Sequence, residues 1–185
     1  MAAVESKMIS LGTVVPDFEL LDVHINQVRS YHTLRGDQGT VIMFICNHCP
    51  YVKHIIEEVV KVANKYLDEG ITFIAISSND VDNYPDDSPE KMQEFAEDHH
   101  FPFPYLYDET QDVAREFDAA CTPDIYVFDS DDKLVYRGQF DDSRPKNDEP
   151  VTGKDLRNAL TNLLNGMPIN PEQKPSIGCN IKWKQ

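Results

Sequence analysis

Two apolar runs flank an amphipathic segment, and that order constrains the fold more than any other feature of the chain. Residues 40–46 are continuously apolar and rich in β-branched side chains, which predicts a strand buried on both faces. From residue 52 to 69 the period becomes helical. Ile55, Ile56, Val59, Val60, Ala63, Tyr66 and Leu67 fall on one stripe, and Gly70 is a natural stop. Residues 71–76 are a second buried strand. Strand, helix, strand at this spacing predicts a βαβ unit with parallel strands and a right-handed crossover.

Residues 11–34 predict an N-terminal strand and hairpin region, with short alternating pieces at 18–20 and 28–31 and a turn at Asn26-Gln27. After the βαβ unit, residues 79–89 are a polar, acidic loop. Ser88 can cap a helix over 89–99 that has proline at its first position. A short strand over 103–107 and a helix over 110–118 follow. Residues 124–129 and 134–140 predict a hairpin whose turn is Ser130-Asp131-Asp132-Lys133. A last amphipathic helix over 152–165 ends at Gly166. The tail, 167–185, has three prolines and no period, and reads as irregular. The whole is expected to be one domain, with a core over about 11–165 and an α/β sheet flanked by helices.

At 185 residues, with 41% hydrophobic and 26% charged residues, the chain has the balance of a single globular domain. A net charge of −15 disfavours nucleic acid and anionic membrane surfaces as partners. The first ten residues lack a signal pattern, and no apolar run is long enough to span a bilayer, so a cytoplasmic location is expected. Four cysteines are too few for a disulfide-stapled scaffold.

Two of those cysteines form the C-x-x-C of Cys46-Asn47-His48-Cys49-Pro50, where the first buried strand gives way to the helix. Three residues apart on a first helical turn, they would share a face and could close a disulfide. The free N–H groups and positive dipole end of a helix favour thiolate, the nucleophile of disulfide exchange. Zinc would need two further ligands, and no second pair follows at zinc-site spacing. A cationic His48 beside Cys46 would lower the thiol's pKa. Thr122-Pro123 precedes a predicted strand, and Cys121 adjoins it. Cys179 stands in the tail. Cys121 and Cys179 could act as resolving thiols or simply pack. The acidic pieces 80–82 and 129–132 lack EF-hand spacing and read as solvated turns.

On these residues the chain resembles the thioredoxin-like superfamily, in its peroxiredoxin-like (alkyl hydroperoxide reductase/thiol-specific antioxidant, or redoxin) branch. Residues 15–20, Val-Pro-Asp-Phe-Glu-Leu, look like that branch's N-terminal signature. Residues 46–50 look like its active-site segment, and 121–129 like its cis-proline loop and following strand. The tail 176–183 is similar to that of an uncharacterised peroxiredoxin-like subgroup. The resemblance implies a thioredoxin fold, a central mixed sheet flanked by helices and enlarged by an N-terminal β extension. It implies a cis Thr122–Pro123 bond and no metal or organic cofactor.

Two alignments of the site remain open. As a thioredoxin, Cys46 attacks a protein or small-molecule disulfide, Cys49 resolves, and Thr122 and Pro123 hold the substrate backbone. The histidine before Cys49 resembles that of oxidising members such as protein disulfide isomerases. As a peroxiredoxin, Cys49 is the peroxidatic thiol, Cys46 replaces a threonine, and a thiol reductant closes an antioxidant cycle that serves cell redox homeostasis. The arginine that peroxiredoxins use has no counterpart in Cys121-Thr122-Pro123. A non-enzymatic redox-sensing or partner-binding module, with residues 79–88 as contact surface, is the third reading.

Overall fold

The strand at the middle of the molecule, β4 (Gly39–Phe44), is buried along its whole length, as its unbroken apolar sequence requires. The computed structural model describes residues 2–185. In chain order the elements are β1 (Ala3–Glu5), β2 (Glu19–Asp22), β3 (Gln27–Ser30), α1 (Tyr31–Leu34), β4, α2 (Pro50–Leu67), β5 (Ile71–Ser77), α3 (Pro89–Asp98), β6 (Tyr105–Tyr107), α4 (Asp112–Glu116), β7 (Cys121–Thr122), β8 (Asp124–Asp129), β9 (Leu134–Arg137), α5 (Lys154–Leu164) and β10 (Ile177–Asn180). A 3-10 turn spans Pro85–Asp87.

The main sheet has seven strands in the order β3-β2-β6-β5-β4-β8-β9. β4 pairs in parallel with β5 and antiparallel with β8, so the sheet is mixed. Alternate side chains of β4 serve opposite faces. Val41 and Met43 pack with Val52, Ile56 and Val59 of α2 and with Leu156 and Leu160 of α5. Ile42 and Phe44 pack with Tyr31 of α1 and with Val113, Ala114 and Phe117 of α4. A βαβ unit followed by an antiparallel hairpin and a helix, with helices on both faces, is the thioredoxin arrangement that the sequence predicted. Among the described residues no helix is long and apolar enough to cross a membrane.

Three expectations change. The tail is not wholly irregular, because it contains β10. This strand lies between β1 and β7 in a separate small sheet, with Cys179 opposite both Ala3 and Thr122. Strands this short carry no period, and their hydrogen-bond partners lie far off in sequence. The loop before α3 is polar and exposed at Asp82–Asp86 but not solvated at its ends, where Asn79, Asp80 and Asp87 are buried. The carboxylate of Asp80 accepts hydrogen bonds from the Asp82 N–H and from Asn83 Nδ2. Finally, the helix of the βαβ unit begins at Pro50, which leaves Cys46 outside it. Proline at the first helical position lacks an N–H that the helix would not use there, so the chain turns helical at that residue.

Candidate active site: three sulfurs around Thr122

The register of the main sheet builds the site. β4 and β8 pair with Phe44 opposite Asp124. Continuing that register past the ends of both strands sets Cys46 opposite Thr122. Thr122 belongs to β7, where it faces Cys179 of β10. Thr122 therefore stands between the segment after β4 and the tail, and the sulfurs gather around it. Cys46 Sγ is 3.5 Å from Thr122 Oγ1, and Cys49 Sγ is 3.3 Å from the Thr122 carbonyl oxygen. Cys49 Sγ and Cys179 Sγ are 2.8 Å apart. The Thr122–Pro123 peptide is cis, as the resemblance implied.

Cys49 is the N-cap of α2, with Pro50 as the first helical residue. Its sulfur thus sits where the helix presents unpaired N–H groups and positive potential. All three sulfurs are covered: Cys46 is 1% exposed, Cys49 0% and Cys179 3%.

One cover comes from the loop before α3. Asp87, fully buried, accepts from the Asn47 N–H at 2.9 Å and from Asn79 Nδ2 at 2.9 Å. His48 Nδ1 lies 2.6 Å from the same carboxylate as Asn79. The Tyr84 ring stacks parallel to the His48 ring at 6.0 Å, with the Lys182 ammonium over it. The other cover is the tail. Ser176 Oγ donates to the Pro123 carbonyl, the Ile181 N–H to that of Ala120, and the Lys182 N–H to Asn79 Oδ1. Gly178 is needed there, because a Cβ would collide with the Thr122 carbonyl.

The ionisation pattern runs against the thioredoxin alignment of the two cysteines and with the peroxiredoxin one. The Cys49 thiol is pulled down by hydrogen bonding from Cys46, then Cys179 and Thr122, against its burial. Cys46 is pushed up by that same bond to Cys49, by burial and by the Asp87 carboxylate. Cys179 is pushed up by burial and by the neighbouring Cys49. These shifts favour Cys49, ahead of Cys46 and Cys179, as the thiol that ionises first.

His48 does not act as expected either. Its pKa is raised chiefly by Asp87, which keeps it cationic, but the carboxylate beside it cancels most of that charge. Burial would raise Asp87, yet the bonds from His48, Asn79 and the Asn47 N–H outweigh it and hold the carboxyl below its ordinary range. The pair closes the site without lending Cys46 a net positive charge.

Pro50 starts the helix, and Thr122 and Pro123 border the sulfurs, as the sequence suggested. Cys121 does not join them. Its Sγ faces the carbonyls of Pro123 and Ser176, and burial pushes its thiol far up, which suits packing. Sequence reasoning missed Asp87, for which an acidic loop gives no signal, and Asp124. Asp124 is fully buried beside Pro123, accepts from the Ala120 N–H, and is raised by burial to about 6.

Ligand atoms of Cys46, His48 and Asp87 lie within 4.8 Å of one another. The two carboxylate oxygens of Asp87 already serve His48, Asn47 and Asn79, so these donors are committed to one another.

A thioredoxin fold with buried sulfurs at the start of its central helix defines a thiol redox protein. The AhpC/TSA family model matches residues 11–137, and the chain belongs to that family. It is similar to an uncharacterized conserved protein from Geobacillus kaustophilus, at 58% identity and a TM-score of 0.98, covering 100% of this chain and 97% of that one. A hypothetical protein from Sinorhizobium meliloti 1021 is 40% identical, with a TM-score of 0.95 and coverage of 97% and 98%. A peroxidoxin from Mycobacterium tuberculosis, at 21% identity, shares the fold, with a TM-score of 0.63 over 86% of this chain and 98% of that one. No curated protein matches the chain.

Proposed function

We propose that the protein is a thiol–disulfide oxidoreductase whose Cys46 and Cys49 cycle between dithiol and disulfide. The position of Cys49 carries this reading: it caps α2 while Cys46, Cys179 and Thr122 surround its sulfur. The resemblance to thioredoxins gives the first attack to Cys46, but the charge distribution favours Cys49. Cys49 thiolate attacks one sulfur of a substrate disulfide. That bond breaks, and its electron pair leaves on the other sulfur, which takes the Cys46 proton. Cys46, now ionised, attacks Cys49, closes the protein disulfide and expels the second substrate thiol. The substrate gains two electrons, and a thiol reductant restores the enzyme. Such a pair stays reduced in the cytoplasm, which is where we place its action.

A second reading, thiol peroxidase, is favoured by the covering of the sulfurs, since a hydroperoxide needs far less room than a protein disulfide. Cys49 thiolate would take the distal oxygen and become sulfenic acid while the alcohol leaves with a proton. Cys46 would then displace water to form the disulfide. Turnover of hydrogen peroxide and of a disulfide, side by side on wild type, Cys46→Ser and Cys49→Ser, separates the two. Disulfide turnover lost in both variants supports the first reading. Peroxide turnover lost only in Cys49→Ser replaces it with the second.

A further inference from the structure

The Cys49 sulfur contacts the tail as well as its C-x-x-C partner, with Cys179 Sγ 2.8 Å away. Cys179 is fixed there on both sides: its strand pairs with β1 at Ala3 and with β7 at Thr122. The chain beside it is held equally close, because the glycine at 178 leaves no side chain between β10 and the Thr122 carbonyl. At 2.8 Å, the two sulfurs need a movement of less than about 1 Å to reach bonding distance. Cys46 lies across Thr122 from Cys179, within 3.5 Å of the Thr122 hydroxyl. An oxidised C-x-x-C would therefore present its Cys49 sulfur to a third thiol already in contact with it.

We propose that Cys179 is a third redox thiol of this site, which takes the disulfide over from Cys46. The inference rests on the redox reading of Cys46 and Cys49 given above. Starting from the Cys46–Cys49 disulfide, Cys179 sulfur attacks Cys49 sulfur. The Cys46–Cys49 bond breaks with its electron pair on Cys46, and the proton lost by Cys179 ends on Cys46. A Cys49–Cys179 disulfide forms, and no electrons enter or leave the protein. Cys46 returns to the thiol state while the protein remains oxidised by two electrons. The Thr122 hydroxyl, which touches Cys46, can donate to that sulfur as charge develops on it. The site thus holds its oxidising equivalent in a bridge between α2 and the tail, with Cys46 free. Cys121, which faces carbonyl oxygens, takes no part.

The test is disulfide mapping on the full chain, which needs no substrate. Wild type, Cys46→Ser, Cys46→Ser/Cys179→Ser, Cys121→Ala and Gly178→Ala are oxidised with stoichiometric diamide, quenched in acid, alkylated and mapped by peptide mass spectrometry. Cys46→Ser is expected to lose two thiols and to yield a cross-link between the peptides of Cys49 and Cys179. The double variant is expected to lack that link, and Cys121→Ala to keep it. Gly178→Ala retains all four cysteines but displaces β10. It is expected to slow the Cys49–Cys179 link by roughly tenfold while the Cys46–Cys49 disulfide still forms. If wild type forms the Cys46–Cys49 disulfide but no chain forms Cys49–Cys179, or Cys46→Ser links only between molecules, the proposal fails and the proposed function stands. If neither disulfide forms, both fail.

Discussion

The main sheet and the small sheet are built on opposite terms. The main sheet is stabilised by bulk: its strands bury large apolar side chains on both faces, and helices cover each face. The small sheet consists of three short strands, each taken from a different part of the chain, and buries β7 and the centre of β10 but no large apolar side chain. Yet the small sheet contributes Thr122 and Cys179, two of the groups that touch the reactive sulfurs. The main sheet delivers Cys46 and Cys49 from the end of β4 but leaves one side of them open. Stability and reactivity are thus divided between the two sheets, and they meet at Thr122–Pro123–Asp124.

The division can be broken from either side. The largest effect is expected from Cys49→Ser, which should abolish thiol-dependent turnover of peroxide and disulfide alike while leaving the denaturation midpoint nearly unchanged. Phe128→Ala, in the main sheet, should cost about 3–5 kcal/mol in urea denaturation. Phe128 is fully buried. The fraction that remains folded should keep the thiol titration of wild type. Gly178→Ala, in the small sheet, should cost less, about 1–3 kcal/mol, through the clash with Thr122. It should nevertheless raise the Cys49 pKa, because Cys179 would no longer donate to it. Absorbance at 240 nm against pH reads this directly. In wild type one thiolate should persist well below the usual thiol range of about 8.5, and iodoacetamide alkylation should change little between roughly pH 7 and 9. Equal stability losses with equal titrations in both variants would erase the distinction between the sheets.

The smallest effect concerns the junction. Asp124 is raised to about 6, so the folded protein keeps a proton that the unfolded chain releases near pH 4. Its contribution is full below the unfolded value and is lost as pH rises through the folded one. Stability should therefore decline across about pH 4–6 by on the order of 2 kcal/mol. Asp124→Asn should flatten that decline in denaturation series run at each pH.

What the sequence revealed follows the same division. The β4–α2–β5 unit was legible because long buried elements impose a period and Gly70 marks the helix end, although α2 starts at Pro50, ahead of the periodic stretch. C-x-x-C at that junction located two of the three sulfurs that gather at Thr122. The helix over 89–98 was legible from its cap, since Ser88 accepts from the Lys91 N–H. β1, β7 and β10 were not, because a strand of a few residues has no period and is held only by distant partners. Asp87 was invisible for another reason. A carboxylate buried against an N–H and an imidazole from the C-x-x-C looks, in sequence, like any other member of an acidic loop. The expected role of His48 shifted for that reason, while Cys46 is raised first by its bond to Cys49 and by burial, and only then by Asp87.

The place of β10 sets a timetable for the molecule. During synthesis Cys46, Cys49 and even Thr122 emerge long before Cys179. β1 leaves the ribosome long before its hydrogen-bond partner β10. The main sheet can form on the nascent chain, while the third wall of the sulfur cluster is a late arrival. Until residues 177–180 are made, the C-x-x-C lacks the tail's cover and the sulfur contact from Cys179. Synthesis of β10 therefore adds the tail's cover and its sulfur contact to the site in a single event.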